Sequence, residues 1–460
     1  MRARILFIAI CMAVTGGSAQ AATPAGLAKI RHIVVIYEEN RSFDNLYGAF
    51  PGANGLANAG TAAVQVDVNG KPFAKLPPVC LKAPAHPGTD PATGAQACGT
   101  VDQRFPPDLA NAPFDAGQYV PLDQITGDLV HRFYQEQIQI DGGRMDKFAA
   151  ISDAGGLTMG HFDGSELELW KIAQEYTIAD NFFHAAFGGS FLNHQWLACA
   201  CTPVFPNAPA TMVAQLDKDG NLVADGAVTP DGYAVNTVFA TASPHPASAK
   251  PETLLPPQTA PTIGDRLSDA NVSWAWYGAG YADAIAGHPA PLFQFHHQPY
   301  VYFARYADGT PDRAKHLKDG VDFETAIKKG DLPAVSFYKP LGELNEHPGY
   351  ASILAGDRKA AELVRAIQAN RKLWADSVII ITHDENGGTW DHVAPPRVDR
   401  WGPGSRIPAF IISPYARRGY VDHTPYDTTS ILKLIETRFG LAPLGTRDAN
   451  AYDLTNALQF

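Results

Sequence analysis

The chain has 460 residues, of which 45% are hydrophobic and 18% are charged, and this composition excludes an intrinsically disordered protein. Its formal net charge of −11 argues against nucleic acid as a partner, because a phosphate backbone requires a basic surface. The same acidic balance argues against simple electrostatic adhesion to anionic membranes.

The N-terminus has the pattern of a secretory signal peptide. Arg2 and Arg4 precede an apolar run over residues 5–14, and Ala19 and Ala21 form an A-x-A cleavage pattern. We therefore expect residues 1–21 to be removed and the mature chain, 22–460, to be periplasmic or secreted. No later run of about 18 apolar residues follows, so we predict no transmembrane segment in the mature chain.

Two long apolar runs predict buried parallel strands, namely residues 32–37 and residues 375–382. Further strands are predicted at 272–277, 334–338 and 407–413, and helical periodicity is clear over 359–374 and 428–439. Strands that alternate with helices indicate an α/β fold, in which helices flank a central, mostly parallel β-sheet.

Two Pro-rich segments, residues 51–121 and 202–261, interrupt this alternation. The second contains Asp219-Gly220, which predicts a hairpin. We interpret both segments as insertions that decorate the edge of the sheet within a single domain, 22–460, and shape a pocket there.

Four cysteines remain after the predicted cleavage point: Cys80, Cys98, Cys199 and Cys201. An even number of cysteines in an exported chain indicates disulfides. Cys80 and Cys98 lie in a Pro-rich stretch that a disulfide would stabilise, whereas the pairing of the other two is less obvious. A zinc site is an alternative, although the spacing fits no familiar zinc finger.

Acidic and amide residues follow both of the long predicted strands: Glu39, Asn40, Asp384 and Glu385. Ligands of open α/β sheets bind beyond the carboxyl ends of the strands, so these side chains converge if both strands are central. Several oxygen ligands together suit a hard divalent cation. The alternative is that each group is a solvated turn or a helix cap.

A second candidate site is the segment Gly188-Gly189-Ser190. Two glycines permit a tight turn, and a helix that begins at Ser190 would direct free N–H groups at an anion. A serine hydroxyl beside a metal can act as a nucleophile. The alternative is that Ser190 only caps a helix.

Five of the 15 histidines are candidates for phosphate contacts or for acid catalysis: His131, His296, His297, His347 and His392. Since a lone histidine is commonly structural, we expect about half of these five to have no catalytic role.

Four motifs are similar to those of a bacterial phosphoesterase family that contains the AcpA-type acid phosphatases and phospholipases C. They are EENRSFD at 38–44, GGRMDKF at 142–148, THDENGGTWDHVAPP at 382–396 and IPAFIISP at 407–414. This family belongs to the alkaline phosphatase–sulfatase superfamily, and the resemblance extends from about residue 30 to about residue 440. It therefore implies an alkaline phosphatase-like fold.

The resemblance also implies roles for particular residues. A divalent metal, such as calcium, magnesium or manganese, would be bound by Glu39, Asn40, Ser190, Asp384 and Glu385. Ser190 would attack phosphorus to form a phosphoseryl intermediate. His347 would protonate the leaving group, and the phosphoryl oxygens or the leaving group would contact His131, His296, His297 and Asn193.

The resemblance leaves two kinds of substrate open, small phosphorylated compounds and phospholipid headgroups. The phospholipases C of the family usually have threonine at the position of Ser190 and proline at that of Leu192, so the sequence favours an acid phosphatase. Its activity should be highest at acid pH if the histidines act when protonated. A phospholipase C remains the alternative. A non-catalytic binding scaffold is disfavoured by the intact Ser190, Asp384 and Glu385, and a sulfatase by the residues 199–203.

Overall fold

The computed structural model describes residues 26–83 and 95–460, so the predicted signal peptide of residues 1–21 lies outside the described residues. In chain order, the strands of the described part are β1 His32–Glu38, β2 Cys80–Lys82, β3 Thr100–Val101, β4 Phe114–Asp115, β5 Gly160–His161, β6 Thr177–Phe183, β7 Gln215–Leu216, β8 Leu222–Ala224, β9 Trp274–Gly278, β10 Leu317–Asp319, β11 Val335–Lys339, β12 Ser377–His383, β13 Arg406–Ile412, β14 Tyr420–Asp422 and β15 Tyr426–Asp427.

The α-helices of the described part are α1 Phe43–Tyr47, α2 Phe133–Ile140, α3 Phe148–Ile151, α4 Glu168–Glu175, α5 Ser190–Cys199, α6 Ile263–Asp269, α7 Tyr281–Ile285, α8 Pro311–His316, α9 Gly320–Lys329, α10 Ile353–Ala369, α11 Arg371–Trp374, α12 Thr428–Phe439 and α13 Thr446–Asn450. Among the helices of residues 26–83 and 95–460, none combines the length and the apolar character needed to cross a membrane.

One large sheet organises the molecule, with strand order β10-β9-β11-β1-β12-β13-β6-β14, and β15 also pairs with β6. The strands β10, β9, β11, β1 and β12 are parallel to one another, and β13 runs antiparallel to both β12 and β6. This arrangement confirms the predicted α/β fold with a mostly parallel central sheet.

The central strand β1 explains why the apolar runs are continuous. Ile33 and Val35 pack into the core on one face of the sheet, and Val34 and Ile36 pack into the core on the other. Because helices cover both faces, every position from Ile33 to Glu38 is buried, and only His32 at the start of the strand is partly exposed. The five predicted strands are all present as β1, β9, β11, β12 and β13.

Strand β6 escaped prediction because Asp180 and Asn181 interrupt its apolar sequence. Asp180 is nevertheless buried, and its carboxylate accepts a hydrogen bond from the Asn54 N–H at 2.7 Å. The helix predicted over 359–374 is also different in the structure. It begins earlier, at Ile353 after the Ser352 cap, and non-helical Asn370 divides it into α10 and α11.

The Pro-rich segments contain short strands and turns. The predicted hairpin around Asp219-Gly220 is confirmed by strands β7 and β8. All four cysteines are paired as Cys80–Cys98 and Cys199–Cys201. The alternative of a cysteine zinc site is therefore wrong, because disulfide sulfurs are not thiolate ligands.

A buried ion network connects the segment after β1 to the segment after β12. Arg406, which is fully buried at the start of β13, donates to Asp44 Oδ1 at 3.0 Å and to Asp391 Oδ1 at 3.1 Å. His392 Nδ1 lies 2.6 Å from Asp44 Oδ2, so this candidate histidine belongs to the buried ion network. Since Asp44 and Asp391 belong to the two long motifs, the network holds both motifs against the sheet.

The substitution Arg406→Met tests this network. Removal of the Arg406 guanidinium leaves the buried carboxylates of Asp44 and Asp391 without their cation. We therefore expect the free energy of unfolding to fall by about 3–5 kcal/mol in urea denaturation. Arg31→Met is the matched control, because the Arg31 side chain is 72% exposed and lies 3.6 Å from Asp376. The control should change stability by less than about 0.5 kcal/mol. Equal effects of the two substitutions would contradict a stabilising role for the network.

Candidate active site

Three neighbouring parallel strands bring charged side chains to one edge of the sheet. The register of β1 and β12 pairs Glu38 with His383, so Glu39 and Asp384 are the next residues on adjacent strands. Lys339 is the last residue of β11, which lies on the other side of β1. The topology alone therefore places two carboxylates and one ammonium group together.

Glu39 is fully buried, and its two oxygen atoms face different partners. Its Oε2 accepts a hydrogen bond from Ser190 Oγ at 3.2 Å. Its Oε1 lies 2.9 Å from His297 Nε2 and contacts Lys339 Nζ. The Asp384 Oδ2 atom lies 3.7 Å from Lys339 Nζ and 3.6 Å from His194 Nδ1.

The carboxylates are costly to ionise in this environment. Burial, with the nearby charge of Glu39, raises the pKa of Asp384 to about 7, although Lys339 opposes the shift. Burial and the charge of Asp384 raise the pKa of Glu385 well above its usual range. An added cation would favour the ionised forms of both groups.

The residues present fit a divalent metal. In the part of the chain that the structure describes, Asp384 Oδ2 and Glu385 Oε1 are buried without a hydrogen-bond partner. A divalent cation bound directly to these oxygens would compensate for their missing hydrogen bonds. Asn40 has a left-handed backbone with φ of 56°, and its Oδ1 lies 3.5 Å from Ser190 Oγ. The side-chain oxygens of Glu39 and Asn40 therefore both lie next to the Ser190 hydroxyl.

Ser190 is the first residue of α5, as the Gly-Gly-Ser pattern predicted. Gly188 has φ of +87°, and a Cβ there would lie 2.5 Å from Phe133 N, so the turn requires glycine. Ser190 lies in the lining of a cavity of about 290 Å³, together with Glu39, Asp128, His131, His296 and His347. Its hydroxyl and the N–H groups of the first turn of α5 lie at the same helix terminus.

Three of the predicted histidines line this cavity. His131 Nε2 lies 3.5 Å from Asn40 Nδ2, and the rings of His131 and His347 are 5.4 Å apart. Burial lowers the pKa of His296 to about 4 and that of His347 to about 3. These imidazoles are therefore neutral near pH 7 until an anion binds beside them.

His297 and Asn193 are not among the residues that line this cavity. His297 faces Glu39 behind the cavity wall. The Asn193 side chain is fully buried, its Nδ2 donates to Ala186 O at 3.0 Å and to Gly188 O at 3.2 Å, and its Oδ1 accepts from Ala186 N at 2.9 Å. Both amide atoms are thus used by the turn before Ser190. The structure thus shows Asn193 bonded to the backbone of this turn, and its contact with substrate stays a prediction.

Two residues at the centre were missed as site residues from the sequence, Lys339 and His194. Lys339 directly follows the predicted strand 334–338, and a charge at the carboxyl end of a buried strand was the available signal. His194 is four residues after Ser190 on α5, and its Nδ1 lies 2.7 Å from Ser190 O. A spacing of four places both on one face of a helix.

Comparisons with known proteins identify the family of this chain. The sequence model of the Phosphoesterase family matches residues 30–442. Phospholipase C B of Mycobacterium tuberculosis is 26% identical over 480 residues, which cover 95% of this chain and 79% of that protein. Non-hemolytic phospholipase C of Burkholderia pseudomallei is 25% identical, with coverage of 94% of this chain and 59% of that protein.

A solved structure from Vibrio parahaemolyticus, described as a protein in the alkaline phosphatase superfamily, is 14% identical with a TM-score of 0.34. The match covers 64% of this chain and 65% of that one. On the extent of the family match, the chain belongs to the Phosphoesterase family. It is a phosphoric ester hydrolase, and the resemblance inferred from its motifs is confirmed.

The substitution Asn193→Ala tests the positioning role of this amide. It removes several buried hydrogen bonds, so the free energy of unfolding should fall by about 2 kcal/mol in urea denaturation. In phosphate-ester assays kcat should fall much more than KM changes, because Ser190 is displaced while the cavity wall is kept. Asn58→Ala, at an exposed position, is the control and should change neither quantity. An increase in KM alone would instead indicate that Asn193 contacts substrate.

Proposed function

We propose that the protein is an exported, metal-dependent acid phosphatase that hydrolyses phosphomonoesters through a phosphoserine intermediate. The observation that carries this proposal is the position of Ser190 Oγ, 3.2 Å from Glu39 Oε2 and at the first turn of α5 in the cavity. The predicted signal peptide supports export to the periplasm or beyond. We further propose that residues 22–460 form one phosphoesterase domain, with insertions near 51–121 and 202–261.

The residues assigned to the metal are Glu39, Asn40, Ser190, Asp384 and Glu385. When bound, a divalent ion would neutralise charge on the phosphoryl oxygens and favour the ionised form of the serine hydroxyl. Glu39 Oε2 is within hydrogen-bonding distance of that hydroxyl and orients it. The chain thus holds the nucleophile in one direction before the substrate enters.

The phosphoryl group has donors on two sides. The N–H groups at the start of α5 lie beside Ser190, and His131 and His296 line the cavity above it. In the transition state the negative charge is spread over the equatorial oxygens, which such donors stabilise. Ser190 Oγ gives its proton to Glu39 Oε2, the acceptor of its hydrogen bond, and forms the bond to phosphorus as the bond to the leaving oxygen breaks. Water later attacks phosphorus, the bond between Oγ and phosphorus breaks, Ser190 regains a proton and inorganic phosphate leaves.

His347 is the proposed acid for the leaving group. Its ring lines the cavity beside His131, and Asp128 Oδ1 lies 4.0 Å from the Nδ1 atoms of both histidines. Protonated His347 would transfer its proton to the leaving alkoxide. Because its pKa is lowered by burial, the protonated form is favoured by acid pH.

The cavity favours a monoester of modest size. At about 290 Å³ it lies near the lower end of ligand-pocket volumes, and Asp128, Arg132 and Gln294 give it a polar wall. A choline headgroup would require several aromatic faces. Among the described residues, the aromatic rings that line this cavity besides the histidines are Phe191 and Tyr350.

A phospholipase C is the second candidate, and one observation favours it. The curated relatives reported above are phospholipases C by name, at 26% and 25% identity. A phosphodiesterase would use the same serine and would admit a second substituent on phosphorus. The two candidates therefore differ in the cavity rather than in the reacting residues.

The substitution Ser190→Ala tests the nucleophile, and paired substrates test the class. We expect the unmodified chain to hydrolyse p-nitrophenyl phosphate faster than p-nitrophenyl phosphorylcholine. Ser190→Ala should lower kcat/KM by at least about 1,000-fold, because the covalent route is lost. Ser190→Thr, which keeps a hydroxyl, should retain part of the activity.

Faster hydrolysis of the choline diester would contradict the phosphatase proposal and support a phospholipase C. Activity that survives in Ser190→Ala would show that another group attacks phosphorus.

The acid role of His347 predicts how the rate depends on pH and on the leaving group. For glycerol phosphate, whose alkoxide needs a proton, kcat/KM should fall as the pH rises above the His347 pKa of about 3 and should keep falling up to about pH 8, since deprotonated His347 cannot act as an acid. His347→Gln should lower this rate by about 100-fold and flatten the pH profile. Hydrolysis of p-nitrophenyl phosphate is the internal control and should change by less than about 10-fold, because nitrophenolate leaves without a proton. A rate that still rises above about pH 8 would contradict this role.

A further inference from the structure

The wall of the active-site cavity carries two opposite charges that the proposed reaction does not use. Asp128 and Arg132 both line the cavity, on either side of His131 in the sequence. We propose that they bind the ammonium and carboxylate groups of an amino acid, so that the preferred substrates are phosphomonoesters of free amino acids such as O-phosphoserine. This inference rests on the proposed function, because it places the leaving group beside His347, and it names the substrate class of the same site.

Asp128 is a carboxylate in the wall of a cavity that must accept a phosphate dianion. Its side chain is 56% exposed, and among the described residues no lysine or arginine nitrogen lies within 4.0 Å of its oxygens. Its charged oxygen Oδ1 accepts a hydrogen bond from Leu129 N at 2.9 Å. A carboxylate in this position repels the phosphate unless a cation compensates for it. A substrate with an ammonium group would bring that cation with it.

The position of Asp128 is on the side of the leaving group. His347 is the proposed acid for the leaving oxygen, and its Nδ1 lies 4.0 Å from Asp128 Oδ1. A Cβ built on Gly349 would lie 2.7 Å from Asp128 Cβ, so Asp128 packs against the segment that carries His347. A substituent a few bonds beyond the leaving oxygen would therefore be within reach of the Asp128 carboxylate.

Arg132 supplies the opposite charge. Its side chain is 42% exposed, and its Nε forms an ion pair with Asp225. The two terminal amino groups of the guanidinium make no hydrogen bond to any residue of 26–83 or 95–460. A guanidinium presents its N–H groups in a planar arrangement that matches a carboxylate. Arg132 thus has donors left for an anionic group of the substrate.

The two charges together select one class of leaving group. Asp128 alone would favour amino alcohols, and Arg132 alone would favour hydroxy acids. A free hydroxy amino acid carries both charges on one carbon, close to the oxygen that leaves phosphorus. The cavity of about 290 Å³ suits a leaving group of this small size. A phosphoserine inside a peptide chain has neither charge, so we do not expect phosphopeptides to be preferred.

The test compares four phosphate esters that differ only in these two charges. They are O-phosphoserine, O-phosphoethanolamine without the carboxylate, the phosphate ester of β-hydroxypropionate without the ammonium group, and ethyl phosphate without either. At about pH 6 the amine is protonated and the carboxylate is ionised. Each charge should raise kcat/KM by about 10-fold over ethyl phosphate, because each adds one charge-assisted hydrogen bond. O-phosphoserine should then be hydrolysed about 100-fold better than ethyl phosphate.

Two substitutions assign the charges to their partners. Asp128→Asn should abolish the advantage of the ammonium group and keep that of the carboxylate, and Arg132→Gln should do the reverse. The readout is the ratio of kcat/KM between two esters within each variant. All four esters release an alkoxide from phosphorus, so an effect of either substitution on the common chemistry cancels in this ratio.

Each substitution has a matched control. Asp225→Asn breaks the same ion pair as Arg132→Gln but keeps the guanidinium, so the advantage of the carboxylate should remain. Asp108→Asn removes a carboxylate of similar exposure, 63%, that pairs with Lys75. It should leave all the ratios unchanged.

Three outcomes would overturn the inference alone, provided that hydrolysis is lost in Ser190→Ala. The first is equal hydrolysis of the four esters, or of p-nitrophenyl phosphate but not O-phosphoserine. The second is that the ratios survive in Asp128→Asn or in Arg132→Gln. The third is an equal loss on all four esters in Arg132→Gln, which would show that the guanidinium contacts the phosphoryl group instead. No hydrolysis of any of these phosphomonoesters would overturn both proposals.

Discussion

The repulsion among buried carboxylates at the ends of β1 and β12 is the constraint on which the site depends. Glu39, Asp384 and Glu385 are fully buried beside one another, and each would be more stable in water. The fold keeps them together through the register of two parallel strands, which the cores on both faces of the sheet enforce. This arrangement lowers the stability of the fold and at the same time favours the binding of cations. Lys339 compensates only part of the negative charge of the three carboxylates.

The same motifs serve stability and chemistry. In the segment after β1, Glu39 and Asn40 face Ser190, whereas Asp44, a few residues later, faces Arg406. In the segment after β12, Asp384 belongs to the centre, and Asp391 belongs to the Arg406 network. A long motif therefore need not be catalytic along its length. The later residues, Asp44 and Asp391, hold the backbone of each segment in place through Arg406, and the earlier residues, Glu39 and Asp384, are positioned by that backbone.

Much of the fold could be predicted from the sequence, because burial on both faces leaves an unmistakable pattern in β1 and β12. The convergence of Glu39 with Asp384 followed from the rule that parallel strands share a carboxyl edge. Strand β6 escaped because Asp180 is buried with polar partners that are distant in sequence. Lys339 escaped for a similar reason, since its partners lie on two other strands.

The roles of Asn193 and His297 show where sequence patterns stop being informative. Both residue types bind phosphate in many sites, and both occur beside candidate residues in this chain. The backbone groups of Ala186 and Gly188, in the turn before Ser190, bond to the Asn193 side chain. An amide that makes these bonds has few atoms left to contact a substrate. Such local satisfaction is a property of the folded turn and has no sequence signature of its own.

The walls of the cavity come from parts of the chain other than the reacting groups. Ser190 and Glu39 are fixed by the sheet and by α5, but Asn236 and Thr237 come from the Pro-rich segment 202–261. That segment is held at the cavity by an ion pair between Arg132 and Asp225 and by the hydrogen bond from Phe133 N to Asn236 Oδ1 at 3.0 Å. The sheet therefore positions the candidate reacting groups, while part of the cavity wall comes from a segment outside the large sheet. This separation explains why the motifs identify a phosphoesterase so readily and yet say little about monoester or diester, since most residues of the cavity wall lie outside them.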